Sequence, residues 1–199
     1  MPTSDTEVAN EVLTLLGESA IMALTDDSDR ARAVSRLYTP TLDQALRSHD
    51  WNFARMRAVL ARLTAVPEFG YSFMYQLPQN PLCLRVLTTN LRADEAWEIE
   101  TYVTADATAQ YRVILTNASA IEIRFIARVT SPTLWDPLFA DAMVHELARR
   151  VAYAITRNAT LVETLREATI EKWRTARSVD GQESRALKQF LSDSFTQMR

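Results

Sequence analysis

Glycine is scarce in this chain, and its scarcity argues against several classes of phosphate-binding protein. The 199 residues include only three glycines, Gly17, Gly70 and Gly181, so no two of them can form a G-x-G turn. Dinucleotide-binding folds and P-loops need closely spaced glycines, because backbone N–H groups must approach a phosphate. The G-x-S-x-G sequence of many serine hydrolases is also missing. The sequence therefore predicts neither these nucleotide-binding loops nor a hydrolase nucleophile elbow.

Cysteine and histidine are almost as rare, and long apolar runs are missing. Cys83 is the only cysteine, so no internal disulfide or cysteine-rich zinc site can form, and a reducing compartment is expected. The sequence His145-Glu146-Leu147-Ala148-Arg149 has the spacing of a metalloprotease helix, but an arginine occupies the second ligand position. A guanidinium does not bind zinc. No stretch approaches the roughly 18 apolar residues of a membrane helix. We predict no metal, no cofactor and no membrane association.

Lysine is rare as well, and the charges are unevenly distributed. Of the 22 basic residues 20 are arginine, and the formal net charge is −3. Residues 1–29 carry seven acids and no base, whereas residues 30–65 carry seven arginines and two aspartates. Arginine suits bidentate contacts at protein interfaces, although a codon bias toward arginine explains the same composition equally well. A DNA-binding regulator is one possible class of protein, and the negative net charge argues against it.

The acidic residues carry only weak signals for catalysis or metal binding. The run Asp26-Asp27-Ser28-Asp29 lacks the glycine and the terminal glutamate of a calcium loop, and acids at a helix start act as caps. Glu98 and Glu100 lie on one face of a predicted strand. This spacing keeps open an alternative function, a small hydrolase that uses surface carboxylates. A solvated outer face is the more common reason for such a pair.

The periodicity of apolar residues predicts helices at both ends of the chain. Ser4-Asp5-Thr6-Glu7 is a capping box that opens the first helix. A second helix begins near residue 28, and Pro40 should kink or restart it. Asp136-Pro137 opens a third helix with an N-cap followed by proline. A fourth helix follows after a short connection, and we expect Gly181 to separate this helix from the residues that follow it.

Alternating patterns between these helices predict four or five strands. They lie near residues 69–77, 83–89, 97–103, 111–115 and 121–129. Within 97–103 the apolar and acidic residues alternate, which predicts one buried and one solvent-exposed face. Short connections imply one antiparallel sheet. We predict an α+β fold, a four-helix bundle with an inserted antiparallel β-domain and a C-terminal arm. The predicted boundaries are 1–66 for the first helix pair, 67–129 for the β-domain, 130–178 for the second helix pair and 179–199 for the arm.

Six short stretches of the sequence occur in an order that is similar to a known family. They are Ala9–Leu13 with Leu16-Gly17, Asp50–Ala54, Pro67–Gly70, Tyr75–Pro78, Leu84–Val86 and Asp136–Phe139. Together they resemble the tail tubular protein A family of short-tailed bacteriophages, the head-to-tail adaptors between portal and tail nozzle. Their common order covers nearly the whole chain. Pro40 departs from the family pattern, in which the second helix is less interrupted.

The resemblance implies a structural virion protein without enzymatic activity. It implies a helical domain with an inserted β-domain, made in the bacterial host cytoplasm and assembled as a dodecameric ring at the head-tail junction. One end of the ring docks on the portal protein, and the other receives a nozzle similar to tail tubular protein B. Genomic DNA then passes through the channel during ejection without sequence-specific contacts.

The resemblance also assigns contact residues. The family's C-terminal segment reaches toward the portal, and apolar anchors on such an arm can supply much of the binding energy. Folding back onto the body is the alternative role of this segment. The anchors are Leu187, Phe190, Leu191, Phe195 and Met198. The charge layout adds the hypothesis that an acidic segment of one subunit faces arginines of the next. The predicted subunit-interface residues are Asp26, Asp27, Asp29, Arg30, Arg32 and Arg36.

Overall fold

The chain folds as a mixed α+β protein, in agreement with the predicted class. The computed structural model describes residues 2–104 and 106–183. In this part of the chain the helices are α1 (Asp5–Leu15), α2 (Asp29–Arg47), α3 (Pro137–Thr156) and α4 (Ala159–Glu183). The strands are β1 (Arg55–Val59), β2 (Phe73–Gln76), β3 (Cys83–Thr89), β4 (Trp97–Val103), β5 (Gln110–Thr116) and β6 (Glu122–Ala127).

The described chain divides into two compact units. A helical unit contains the residues up to Leu37 and the described residues from Asp136 onward, and a β unit is formed by Tyr38–Trp135. Helix α2 belongs to both units, since the division falls between Leu37 and Tyr38. The β unit is therefore an insertion between helical segments, and it begins before the predicted boundary at residue 67.

Local capping explains where the helices of the helical unit start. In α1 the Ser4 hydroxyl accepts a hydrogen bond from the Glu7 N–H at 3.2 Å, as the capping box predicts. Asp136 caps α3 by accepting from the N–H groups of Leu138 at 2.8 Å and Phe139 at 3.1 Å. Because such bonds involve residues two or three positions apart, the sequence reveals them directly.

Two predicted helix breaks are not present in the structure. Helix α2 runs from Asp29 to Arg47 with Pro40 inside it, so of the two expectations at Pro40, a kink or a restart, the restart is wrong. Proline removes one hydrogen bond, which the rest of a 19-residue helix tolerates. Helix α4 continues through Gly181 to Glu183, so Gly181 does not separate a body from an arm. A single glycine costs a helix only about 1 kcal/mol relative to alanine.

The core of the helical unit lies between α1, α3 and α4. Val8, Val12 and Leu13 of α1 are fully buried, and α3 packs against both other helices. Phe139 of α3 and Trp173 of α4 meet edge to face with ring centroids 5.6 Å apart. No helix within residues 2–104 and 106–183 combines the length and apolar character needed to cross a bilayer.

The β unit contains two three-stranded antiparallel sheets rather than one sheet. Their strand orders are β1-β6-β3, here sheet A, and β2-β5-β4, here sheet B. The predicted strand positions near β3, β4 and β5 are confirmed, whereas β1 lies in the range 1–66 that the sequence assigned to helices. The inner faces of both sheets share one hydrophobic cluster, which includes Tyr75, Ile114, Ile123 and Phe125.

The predicted burial of β4 is wrong. None of its seven residues is buried, and Trp97, Ile99 and Val103 expose 37%, 39% and 44% of their surfaces. These residues share the inner face of sheet B, because Ile99 lies opposite the buried Ile114 of β5. The apolar and acidic residues of β4 therefore do lie on opposite faces, but no described part of the chain buries the apolar face.

Candidate functional site

The predicted acidic and basic interface residues partly satisfy one another within the same chain. Arg32 forms ion pairs with Asp27 and, at 2.7 Å, with Asp29. Both carboxylates are exposed to solvent, and exposed pairs of this kind contribute little stability. The hydrogen bond and charge of Arg32 lower the pKa of Asp29 below its ordinary value. A neighbouring subunit would have to compete with these local pairs.

The other predicted interface residues occupy separate positions. Asp26 accepts a hydrogen bond from the backbone N–H of Met22 at 2.8 Å and so shapes the turn before α2. Met22 is 91% exposed at this turn. Arg30 is half-buried, and its Nε atom has no hydrogen-bond partner among the described residues. Arg36 is exposed on α2. The structure brings together only Asp27, Asp29 and Arg32.

The five predicted portal-docking anchors lie outside the described residues. Leu187, Phe190, Leu191, Phe195 and Met198 all follow Glu183, where the described part of α4 ends. Their assignment remains a prediction based on the family resemblance.

A groove lies on the outer face of sheet B, and the sequence did not predict it. Its volume is about 690 Å³. Met74, Val113 and Leu115 form a buried apolar floor. The segment 66–71 borders the groove on one side, and Phe69 in this segment is 85% exposed. An apolar floor beneath exposed aromatic residues is typical of a protein-binding surface.

The groove is acidic. Among the residues that the structure describes, its lining includes Glu68, Glu98 and Glu100 and contains no arginine or lysine. Partial burial of the Tyr71 ring, together with the negative charges of Glu98 and Glu100, raises the pKa of the phenol above its ordinary value. The two carboxylates that the sequence marked as a possible catalytic pair thus belong to a negatively charged, partly apolar surface.

Several ionisable residues of the helical unit contact polar partners within that unit. His145 Nδ1 lies 3.3 Å from Asp141 Oδ1, and Lys172 Nζ lies 2.6 Å from the other carboxylate oxygen. Burial alone would raise the pKa of Glu146, but hydrogen bonds from Arg149 and Arg150 outweigh it and hold that pKa below the ordinary value. Within residues 2–104 and 106–183, no three side chains of the His, Cys, Asp or Glu type are grouped for metal binding.

Cys83 is placed in the core of the β unit. It is 1% exposed, and burial raises the pKa of its thiol to about 11. A protonated, buried thiol is a poor nucleophile.

Comparison with family models and curated proteins adds no relative. No family model and no curated protein matches this chain. The functional interpretation therefore rests on the residues and surfaces described above and on the resemblance found in the sequence.

Proposed function

We propose that this protein is a head-to-tail adaptor of a short-tailed bacteriophage, joining the portal to the tail nozzle in the virion. The observation that supports the proposal best is the insertion of a β unit, with an exposed groove and an uncovered apolar strand face, between helical segments. A connector has to bind different partners at its two ends. Separate helical and β units can provide these two binding regions.

The proposed arrangement follows the resemblance in its finer details. The helices form a four-helix bundle that faces the portal, and the C-terminal arm docks on it through Leu187, Phe190, Leu191, Phe195 and Met198. The β unit contacts the nozzle. Twelve copies form a ring through which genomic DNA passes, with Asp26, Asp27, Asp29, Arg30, Arg32 and Arg36 at the subunit interface.

Truncation tests the portal-docking arm. Because α4 extends to Glu183 and Asp180 within it is buried, a stop after Glu183 removes all five anchors and preserves the described helix. The truncated protein should keep the far-UV circular dichroism spectrum of the full chain and lose binding to the portal protein of the same phage. Undiminished portal binding by the truncated protein contradicts the assignment of the arm.

Electron microscopy tests the function as a whole. A mixture of the full-length protein and the portal should show a ring coaxial with the portal. A protein that remains separate from the portal returns the alternative, a hydrolase using surface carboxylates, to consideration. In that case a Glu98→Gln variant should lose hydrolytic activity toward a panel of ester, phosphoester and glycoside substrates.

A further inference from the structure

Within the described residues the β unit leaves two regular strand edges open, and the two edges differ in charge. A pair of three-stranded sheets has four edges, at β1 and β3 in sheet A and at β2 and β4 in sheet B. Open edges present unpaired N–H and C=O groups that can pair with another chain. Whether each edge is protected therefore decides where a strand from outside can bind.

Two of the four edges are protected. The segment 61–63 runs beside β2, with the Leu63 N–H bonded to the Met74 carbonyl at 2.9 Å. Arg62 and Tyr75 form an antiparallel bridge at the same edge. The β3 strand carries two register shifts in its pairing with β6, and such irregularities disfavour pairing with a further strand.

The remaining edges belong to β1 and β4. Within the described chain, β1 pairs only with β6 and β4 pairs only with β5, each in an uninterrupted register. β1 has five residues and β4 has seven, so both are long enough for several ladder hydrogen bonds. They are the two edges at which a sheet of this unit can be extended.

The outer faces of these two strands carry opposite charges. On β4, Glu98 and Glu100 lie opposite Leu115 and Val113 and so face the acidic groove. On β1 the outer face carries the exposed Arg57 and the half-buried Arg55, whose guanidinium already donates to the Asp50 carbonyl at 2.8 Å. Opposite charges on neighbouring strands stabilise a sheet.

A negatively charged partner would stabilise the position of Arg57. It lies directly opposite Arg124 of β6, and like charges in this position destabilise strand pairing. Arg57 is exposed, and no ion pair joins either guanidinium to a carboxylate among the described residues. A carboxylate from another chain would relieve the repulsion.

The inner faces of β1 and β4 are also compatible. Met56 and Ala58 of β1 pack against the hydrophobic cluster between the sheets. Trp97 and Ile99 of β4 lie on the inner face of sheet B and remain partly exposed. An edge-to-edge contact therefore places apolar residues beside apolar residues inside and charges beside opposite charges outside.

We propose that two copies of this chain associate by antiparallel pairing of β4 in one copy with β1 in the next. The register that aligns Glu98 with Arg57 also aligns Glu100 with Arg55, Ile99 with Met56 and Trp97 with Ala58. Each copy uses a different edge toward each neighbour, so the contact is heterologous and leads to a ring or a filament. Within the proposed function it supplies a subunit contact in the β unit, and only the closure into a ring rests on that function.

Single charge reversals test the contact without portal or nozzle. Glu98→Arg places arginine opposite arginine between copies, and Arg57→Glu places glutamate opposite glutamate. Each variant alone should raise the dissociation constant for self-association at least about tenfold, measured by sedimentation velocity. Arg57→Glu also replaces the repulsion with Arg124 by an attraction, so this variant should fold.

Mixing the two variants gives the decisive measurement. In an equimolar mixture the arginine introduced into β4 of one variant can face the glutamate introduced into β1 of the other. The next contact pairs the unchanged Glu98 of the Arg57→Glu variant with the unchanged Arg57 of the Glu98→Arg variant. The mixture should therefore associate, with the two variants alternating along the assembly. Glu167→Arg on the exposed side of α4 and Arg92→Glu in a loop are controls with the same charge changes away from β1 and β4, and both should associate like the unchanged protein.

Several outcomes would overturn the β4–β1 contact. They are a protein that stays monomeric at every concentration, single variants that associate normally, or a mixture that fails to recover. These results are distinguishable from failure of the proposed function. A protein that self-associates through these edges but does not bind the portal contradicts only the adaptor. A protein that docks on the portal with unaffected edge variants contradicts only this contact.

Discussion

Arg128 and Asp43, 85 positions apart in the sequence, form a bidentate ion pair inside the β unit. The Arg128 Nε atom donates to Asp43 Oδ1 at 2.6 Å, and an Nη2 atom donates to the second carboxylate oxygen. Both side chains are mostly buried, with exposed fractions of 31% and 26%. The pair connects the last turns of α2 to the residue that follows β6. It therefore holds a helix against a sheet within one unit.

Loss of this ion pair should destabilise the protein. Asp43→Asn removes the charge and leaves the half-buried guanidinium of Arg128 without its carboxylate, which should lower the free energy of unfolding by about 1–3 kcal/mol. Urea unfolding at neutral pH measures the change. Glu171→Gln is the matched control, because its pair with Arg174 is exposed and should contribute less than about 1 kcal/mol. Equal effects of the two substitutions would contradict the structural importance of Asp43.

Two tryptophans should differ strongly in their contribution to stability. Trp51 is fully buried, and its indole N–H donates to the Ala45 carbonyl at 3.0 Å. Trp51→Phe leaves a cavity and removes one of the hydrogen bonds to the Ala45 carbonyl, which still accepts from the Ser48 hydroxyl at 2.8 Å. We expect a loss of about 2–4 kcal/mol in urea unfolding. Trp97→Phe on the exposed strand β4 should cost less than about 1 kcal/mol. A reversed order of the two losses would show that β4 is buried in the isolated protein.

The acidic groove should be detectable through the ionisation of Tyr71. Its pKa should lie above the ordinary value, and Glu98→Gln should lower it, because one neighbouring negative charge is removed. Because the pKa of Tyr71 is higher in the folded than in the unfolded protein, its neutral phenol favours the folded state. This stabilisation is fully present below the unfolded-state pKa and is lost as the pH rises through the folded-state pKa. NMR titration of the Tyr71 ring measures the shift. Glu122→Gln, outside the groove, should leave it unchanged, and an unchanged value in Glu98→Gln would refute the groove electrostatics.

The thiol of Cys83 should be unreactive in the folded protein. Its burial and its pKa of about 11 leave little thiolate at neutral pH. A disulfide reagent such as dithionitrobenzoate should modify it only slowly at a mildly alkaline pH and rapidly in concentrated urea. Raising the pH toward the pKa of the thiol should accelerate the reaction of any accessible fraction. Fast modification under native conditions would place Cys83 outside the core.

The sequence predicted those elements whose signals are local. Asp136 followed by proline predicted the start of α3, because an N-cap acts on residues two and three positions away. Ile121, Ile123, Phe125 and Ala127 alternate in the sequence and are all buried. In both cases the residues that determine the local structure are close neighbours along the chain.

The sequence did not predict features that depend on distant partners. The five residues of β1 contain two arginines and no regular apolar run, and they form a strand because they pair with β6, far along the chain. The pattern of β4 was correct, but its burial depended on whether another element covers it. The groove beside β4 was missed for the same reason. Glu98 and Glu100 were visible as a pair, whereas their proximity to Tyr71 was not.

Local signals were sufficient for the mixed α+β class, the helix caps and most strand positions, because capping and alternation act over a few residues. The scarcity of glycine excluded the common phosphate-binding loops, and the charge layout marked the segments where arginine and aspartate concentrate. The folded chain was needed to show that Arg32 pairs within its own chain and that the strands divide into two sheets. It was also needed to show that β1 and β4 each keep one unpaired edge among residues 2–104 and 106–183. These outcomes depend on which surfaces meet after the chain has folded, and a local sequence pattern does not specify that choice.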